Sequence, residues 1–168
     1  LAIGVAFQSN LRLNDIGYFI PVPLIKRFIQ DQRDGHYDGV PEIGIQTSSL
    51  LNRYQRKSLG LSDESGGVLV ERIIPRSSAE GILEEGDVLL GVAGKSIDRA
   101  GMVHFGEHRV DFFIEAEHLQ VGDSLFFKVW RNRSLLNLQI TLKPPPFSAE
   151  LRNAYDILPE YLIVGGLV

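Results

Sequence analysis

A mainly β fold with short helices is the class this 168-residue chain predicts, and three observations predict it. Short apolar runs bounded by Gly, Asp and Pro recur along its middle; stretches with helical spacing are few and brief; and two tight turns, Gly94-Lys95 and Asn132-Arg133, sit between candidate strands. Composition sets the outer limits. The 44% of hydrophobic residues and net charge of −4 describe a globular chain rather than a disordered or fibrous one. Without cysteine there is no disulfide framework, thiol nucleophile or Cys-ligated zinc, and the redox compartment stays open. With 17 Lys and Arg against 21 Asp and Glu and no long basic run, there is no footprint for nucleic acid or anionic lipid. The longest apolar runs, LAIGVAF and LIVGGLV, fall far short of the ~20 residues that span a bilayer, so no membrane partner is expected. The chain opens on Leu1 with no basic n-region, which is not an intact signal peptide and reads as excised from something longer.

In chain order, Ile3, Val5 and Phe7, then residues 16–20, predict two strands. Pro23 at a helix start and Leu24, Ile25, Phe28 and Ile29 at helical spacing predict a helix over 23–34, stopped by Asp34-Gly35. GHYDGVPE has no periodicity and is a linker with a boundary near Gly39. A strand at 43–46 follows, then Ser48 or Ser49 caps an amphipathic segment running through Leu51 and Tyr54 to Leu59-Gly60. GVLVERII is a strand, SSAEGIL a one-turn helix, residues 88–93 a strand, and Gly94-Lys95 a turn into Ser96-Ile97. Residues 99–106 read as irregular, and Val110, Phe113 and Ile114 place a second helix over 107–117. LFFKVWR and LLNLQITL form a closing hairpin. Pro144, Pro145 and Pro146 make a stiff spacer before a last strand around 161–164.

The segment IIPRSSAEGILEEGDVLLGVAGKSI, residues 73–97, resembles the signature of a PDZ domain, with the spacing found after the protease domain of HtrA/Deg-type serine proteases. Its spacing has physical reasons: Ser78 caps a short helix, Ile82 and Leu83 face inward, Gly86 permits a positive φ, Asp87 bonds the turn backbone, and Leu89 and Val92 are strand core. IGVAFQSN with NDIGYFIP resembles the last two strands of that family's protease barrel, PLIKRFI its connecting helix, and PEYLIVGGLV the entry to a second PDZ domain. The insert AGMVHFGEHR is similar to that of the plant-type members. The resemblance implies a PDZ-like, partly open β-barrel of five to six strands capped by two helices. It implies three parts: 1–38, the end of a trypsin-like protease domain with its connecting helix; 39–143, the PDZ domain; and 144–168, a linker and the first strand of a second PDZ.

What the resemblance implies about function is capture of peptides or unfolded segments by strand addition, with no cofactor. Other partners would be the chain's own protease domain and other subunits, and the two end strands with open edges point the same way, to a homo-oligomer. The carboxylate-cradling loop would be Glu42-Ile43-Gly44-Ile45; Ile43 and Ile45 would form the pocket floor, with Val110, Phe113 and Ile114 opposite. Pro41 lacks an N–H, and Asp38 and Glu42 bring negative charge where a cation would help, so internal segments or another domain of the same protein are alternative ligands. Substrate capture and a structural role in assembly, with the groove filled by a neighbour, both remain open.

No catalytic residue is expected. The family's Ser, His and Asp would precede Leu1, leaving only the wall of a specificity pocket at 7–9 and 17–19. Asp63-Glu64-Ser65-Gly66-Gly67 superficially matches a nucleophile context, but it lacks the Gly two residues before Ser65, and only His36 precedes it as a base, so it reads as a loop. His104 and His108, four apart, would share a helix face, yet Gly106 between them favours a solvated loop over a metal site. Trp130, Phe126 and Phe127 read as sheet residues, with one phenylalanine on the outer face.

Overall fold

Leu24, Ile25, Phe28 and Ile29 recur as a helix requires, and helix α1 (Val22–Asp31) forms there, followed by a 3-10 turn at Gln32–Asp34. The computed structural model describes residues 22–35 and 38–146; the predicted strands at 3–7, 16–20 and 161–164, the pocket-wall segments 7–9 and 17–19, and His36 lie outside the described residues. Polar contacts fasten helix α1 to later parts of the chain: Arg27 donates to the Gly39 carbonyl (3.3 Å), Gln120 to the Arg27 carbonyl (3.1 Å), and Gly39 N–H to Asp31 (3.4 Å).

Next come β1 (Ile45–Ser49), α2 (Arg53–Ser58), β2 (Val68–Ile73), β3 (Val88–Val92), β4 (Lys95–Ser96), β5 (Met102–Phe105), β6 (His108–Asp111), α3 (Ile114–Glu117), β7 (Ser124–Arg131) and β8 (Ser134–Thr141). All pairings are antiparallel: the order is β1-β2-β3-β7-β8 with β4 beside β3, and β5-β6 make a separate ribbon. A bridge between Glu42 and Lys143, the residues just before β1 and just after β8, draws the two ends of the sheet together. The result is the mainly β, partly open barrel with short helices that the resemblance implies. Alternation fills it: on β7, Leu125, Phe127 and Val129 are buried while Phe126, at 57% exposure, stands on the outer face. With Ile43, Val68, Val70, Leu89, Ile97, Val103, Phe112, Ile140 and Leu142 they form one core.

Several boundaries differ from the sequence reading, each for a local reason. The strand predicted at 43–46 runs instead from Ile45 through Ser49, because Gly44 holds φ +76 and turns the chain into it. The cap of α2 is Asn52, whose side chain accepts from Tyr54 N–H (2.9 Å), not Ser48 or Ser49, which stay in the ladder with Leu69 and Val68. SSAEGIL is a set of turns rather than a helix: Gly81 reverses the backbone at φ +78, and the Ser78 hydroxyl, expected to cap, reaches across to the Glu42 carbonyl and accepts from Lys143 N–H (2.8 Å). The β3–β4 turn is centred on Ala93-Gly94, both at positive φ as a two-residue hairpin needs, one position earlier than predicted.

The largest difference is at 99–117. Met102–Phe105 and His108–Asp111 pair as a hairpin, Val103 opposite Val110, and only Ile114–Glu117 is helical. Val110, Phe113 and Ile114 match helical spacing alone, yet Val110 lies in β6 and only the other two belong to the helical turn; the Asp111 carboxylate, accepting from Phe113 N–H (3.0 Å), switches strand into helix. Among the described residues no helix is long and apolar enough to cross a membrane.

Candidate functional site

Gly44 shapes the site. A Cβ there would lie 2.1 Å from the Ser77 Cβ, so only glycine lets the loop pass over Ser77, whose hydroxyl donates to the Gly44 carbonyl (3.2 Å). The Gly44 carbonyl also accepts from Ile74 N–H (2.9 Å), which makes Ile45 and Ile73 a non-hydrogen-bonded pair; the Ile45 N–H therefore points to the open edge of β1. Just before it, the Ile43 and Gly44 N–H groups have no acceptor among the described residues, although both residues are buried. Three successive backbone donors thus sit at the entrance to an edge strand. The Glu42 N–H is not a fourth, because it donates to the Lys143 carbonyl (3.0 Å).

Beside that edge lies a cavity of about 420 Å³ lined by Val40, Pro41, Glu42, Ile43, Ile45, Phe113, Ala116, Glu117 and Pro145. Of the residues singled out from sequence, Glu42, Ile43, Ile45 and Phe113 come together here, and Gly44 sets the loop. Val110 and Ile114 do not line it: Val110 belongs to β6, paired with Val103, and on the single turn of α3 the positions 113, 116 and 117 share a face that excludes 114. Sequence reasoning missed Ala116 and Glu117, which the i, i+3, i+4 rule counted from Phe113 would have found, and Val40, Pro41 and Pro145, which chain direction alone does not place.

The wall made by α3 is anchored from outside the cavity. Buried Glu115 pairs with Lys95 of β4; the Lys95 ammonium lies 4.5 Å from the Phe105 ring centre, and Phe105 meets the His118 ring at 5.4 Å. Asp98 organises the hairpin base, accepting from Ala100 and Met102 N–H groups and from Arg109 (2.7 Å). Burial pushes its carboxyl up, but those hydrogen bonds, with the Arg109 charge, outweigh it and hold Asp98 below the ordinary aspartate range.

A larger cleft, about 870 Å³, lies on the outer sheet face between residues 64–66, β4 and Phe126. None of the residues singled out from sequence for peptide binding lines it. Ser65 and His104 both line it without a hydrogen bond between them; the Ser65 hydroxyl pairs with that of Ser62 (2.8 Å). His104 and His108 sit on opposite strands of the β5-β6 ribbon rather than on a helix, and no group of three or more His, Asp or Glu among the described residues is placed to hold a metal. Trp130 donates to the Leu59 carbonyl (3.0 Å), pinning the end of α2.

No family model matches the chain. It is 32% identical over 173 residues to Protease Do-like 2, chloroplastic, of Arabidopsis thaliana, an alignment covering 99% of this chain and 28% of that protein. With Protease Do-like 4, mitochondrial, of the same plant it shares 30% over 168 residues, covering 98% and 32%. The chain thus spans about a third or less of the curated relatives' length. Among solved structures, the HtrA-type protease AlgW with tripeptide aligns at TM-score 0.55 and 24% identity over 86% of this chain and 46% of that one. The same protease with decapeptide aligns at 0.54 and 24%, covering 86% and 42%. These structural likenesses speak for the fold.

Proposed function

We propose that this chain, whose homologues over nearly its whole length are Deg/HtrA-type proteases of the plant Do-like group, carries the peptide-binding PDZ module of a serine endopeptidase. The ligand adds as a strand along the open edge of β1, with one apolar side chain in the cavity between Ile43, Ile45 and Phe113. The observation that carries this reading is the conjunction of a free strand edge, three successive donors at Ile43, Gly44 and Ile45, and an apolar pocket against it. Residues 39–143 form the module in this reading, 1–38 the end of the protease domain with its connecting helix, and 144–168 the start of a second PDZ. The module captures substrate for a protease domain whose nucleophile is not Ser65. Partners are peptides, unfolded segments, the parent's protease domain and other subunits.

The second reading, a structural module that holds an oligomer together, has one observation in its favour: Val40, Pro41 and Pro145, from the chain's own flanks, already border the cavity. Fluorescence anisotropy with labelled extended peptides separates the two. Binding by monomeric chain that Phe113→Asp abolishes, with unchanged circular dichroism, supports capture. A chain that binds none of them and sediments as an oligomer, dissociating when Phe113→Asp is introduced, favours assembly.

A further inference from the structure

The charge of the groove limits what can enter it. Its lining contains Glu42 and Glu117 and no Lys, Arg or His. Both carboxylates are exposed, on opposite walls, and neither makes an ion pair among the described residues; Lys143 meets Glu42 through the backbone alone, and the neighbouring Glu115 is committed to Lys95. The three N–H donors carry no net charge, so the carboxylate of a free C-terminus gains hydrogen bonds here but meets two anions. The backbone carbonyls of an internal segment take the same donors without that repulsion.

We infer that the groove selects an internal, extended segment with an apolar anchor flanked by lysine or arginine, and disfavours a free C-terminus. This rests on the strand-addition reading above. The anchor fills the space between Ile45, Phe113 and Ala116, while a basic side chain on either flank reaches Glu42 or Glu117, which stand at the rim where long side chains keep their charge in water. At a separation of about 6 Å in a water-like dielectric each attractive pair raises affinity about threefold and each repulsive pair lowers it as much; screening at physiological salt about halves these energies, so two carboxylates give about tenfold between basic and acidic flanks.

The test uses the 168-residue chain and four labelled peptides with one shared apolar core: Lys-flanked, Glu-flanked, C-terminal acid and C-terminal amide. The inference expects the Lys-flanked peptide to bind about tenfold tighter than the Glu-flanked one and the amide tighter than the acid. Both gaps should shrink to less than twofold in the Glu42→Gln/Glu117→Gln double variant and narrow at high salt. Equal affinities, a tighter acid, or a gap that survives in the double variant overturns it while leaving strand addition standing, provided Phe113→Asp still abolishes binding. If none of the four binds, strand addition fails and the inference falls with it.

Discussion

Replacing Gly44 by alanine tests whether the donor loop is shaped by its fit over Ser77. At φ +76 an L-residue costs about 1–2 kcal/mol. The added Cβ would lie 2.1 Å from Ser77 Cβ and 2.7 Å from its hydroxyl, so the loop or the Ser77 turn must move, at about 1–3 kcal/mol. Movement also strains the hydrogen bond from Ser77 to the Gly44 carbonyl, worth about 0.5–1.5 kcal/mol. The expected loss is therefore about 2.5–6.5 kcal/mol in urea unfolding, together with loss of peptide binding, since the Ile43 and Ile45 donors turn with the loop. Ser77→Gly removes the clashing Cβ but leaves the backbone strain. In a double-mutant cycle it should recover about 1–3 kcal/mol of the Gly44→Ala loss. A Gly44→Ala loss below about 1 kcal/mol, or no coupling between the two positions, would refute the reasoning.

Arg131→Met removes the partner of Asp87, a carboxylate only 1% exposed that receives two bonds from the guanidinium (2.6 and 2.7 Å); about 3–5 kcal/mol of stability should go, measured by urea unfolding, because a buried charge is left uncompensated. Asp98 has its folded pKa below the unfolded one, so its contribution is present above the ordinary aspartate pKa and disappears as pH falls through the folded value; Asp98→Asn should flatten the acid limb of the stability–pH curve below about pH 4. Phe126→Glu on the outer face should change stability by under about 1 kcal/mol in thermal unfolding and leave peptide affinity unchanged, since the side chain is 57% exposed and away from the groove. Ser65→Ala should leave labelling by a serine-reactive probe unaltered, its hydroxyl being paired only with Ser62.

The β7–β8 hairpin and α1 were legible because their apolar periods are long and their turn residues unambiguous: Asn132-Arg133 takes positive φ at both positions, as a tight hairpin demands. The stretch 99–117 was not. Val110, Phe113 and Ile114 satisfy a helical period by accident, since Val110 lies in a strand that ends at Asp111 and Phe113 caps a helical turn, and only the Asp111 side chain marks the join. Ser78 was read as a local cap because serine before a short apolar run usually is one; its actual partners, Glu42 and Lys143, are distant in sequence and near only once the barrel closes.

The long reach of Ser78 points to how the groove is held open. Its two walls come from chain segments about seventy residues apart, and neither is fixed by the apolar core alone. The donor loop is tied by Ser77 to its own turn and by Ser78 to the strand exit at Lys143, so its position follows barrel closure. The opposite wall is a single helical turn, too short to be stable by itself. It is held by Glu115 on Lys95 and by the Phe105–His118 contact, so the β5-β6 ribbon inserted before it acts as a buttress. Hydrophobic periodicity encodes which residues are buried and says nothing of these polar ties. The core was therefore readable from sequence at Leu89 and Val92, and the negative charge of the groove at Glu42, while its width and its second carboxylate, set by Ser78, Glu115 and Glu117, emerge only when both ends of the sheet meet.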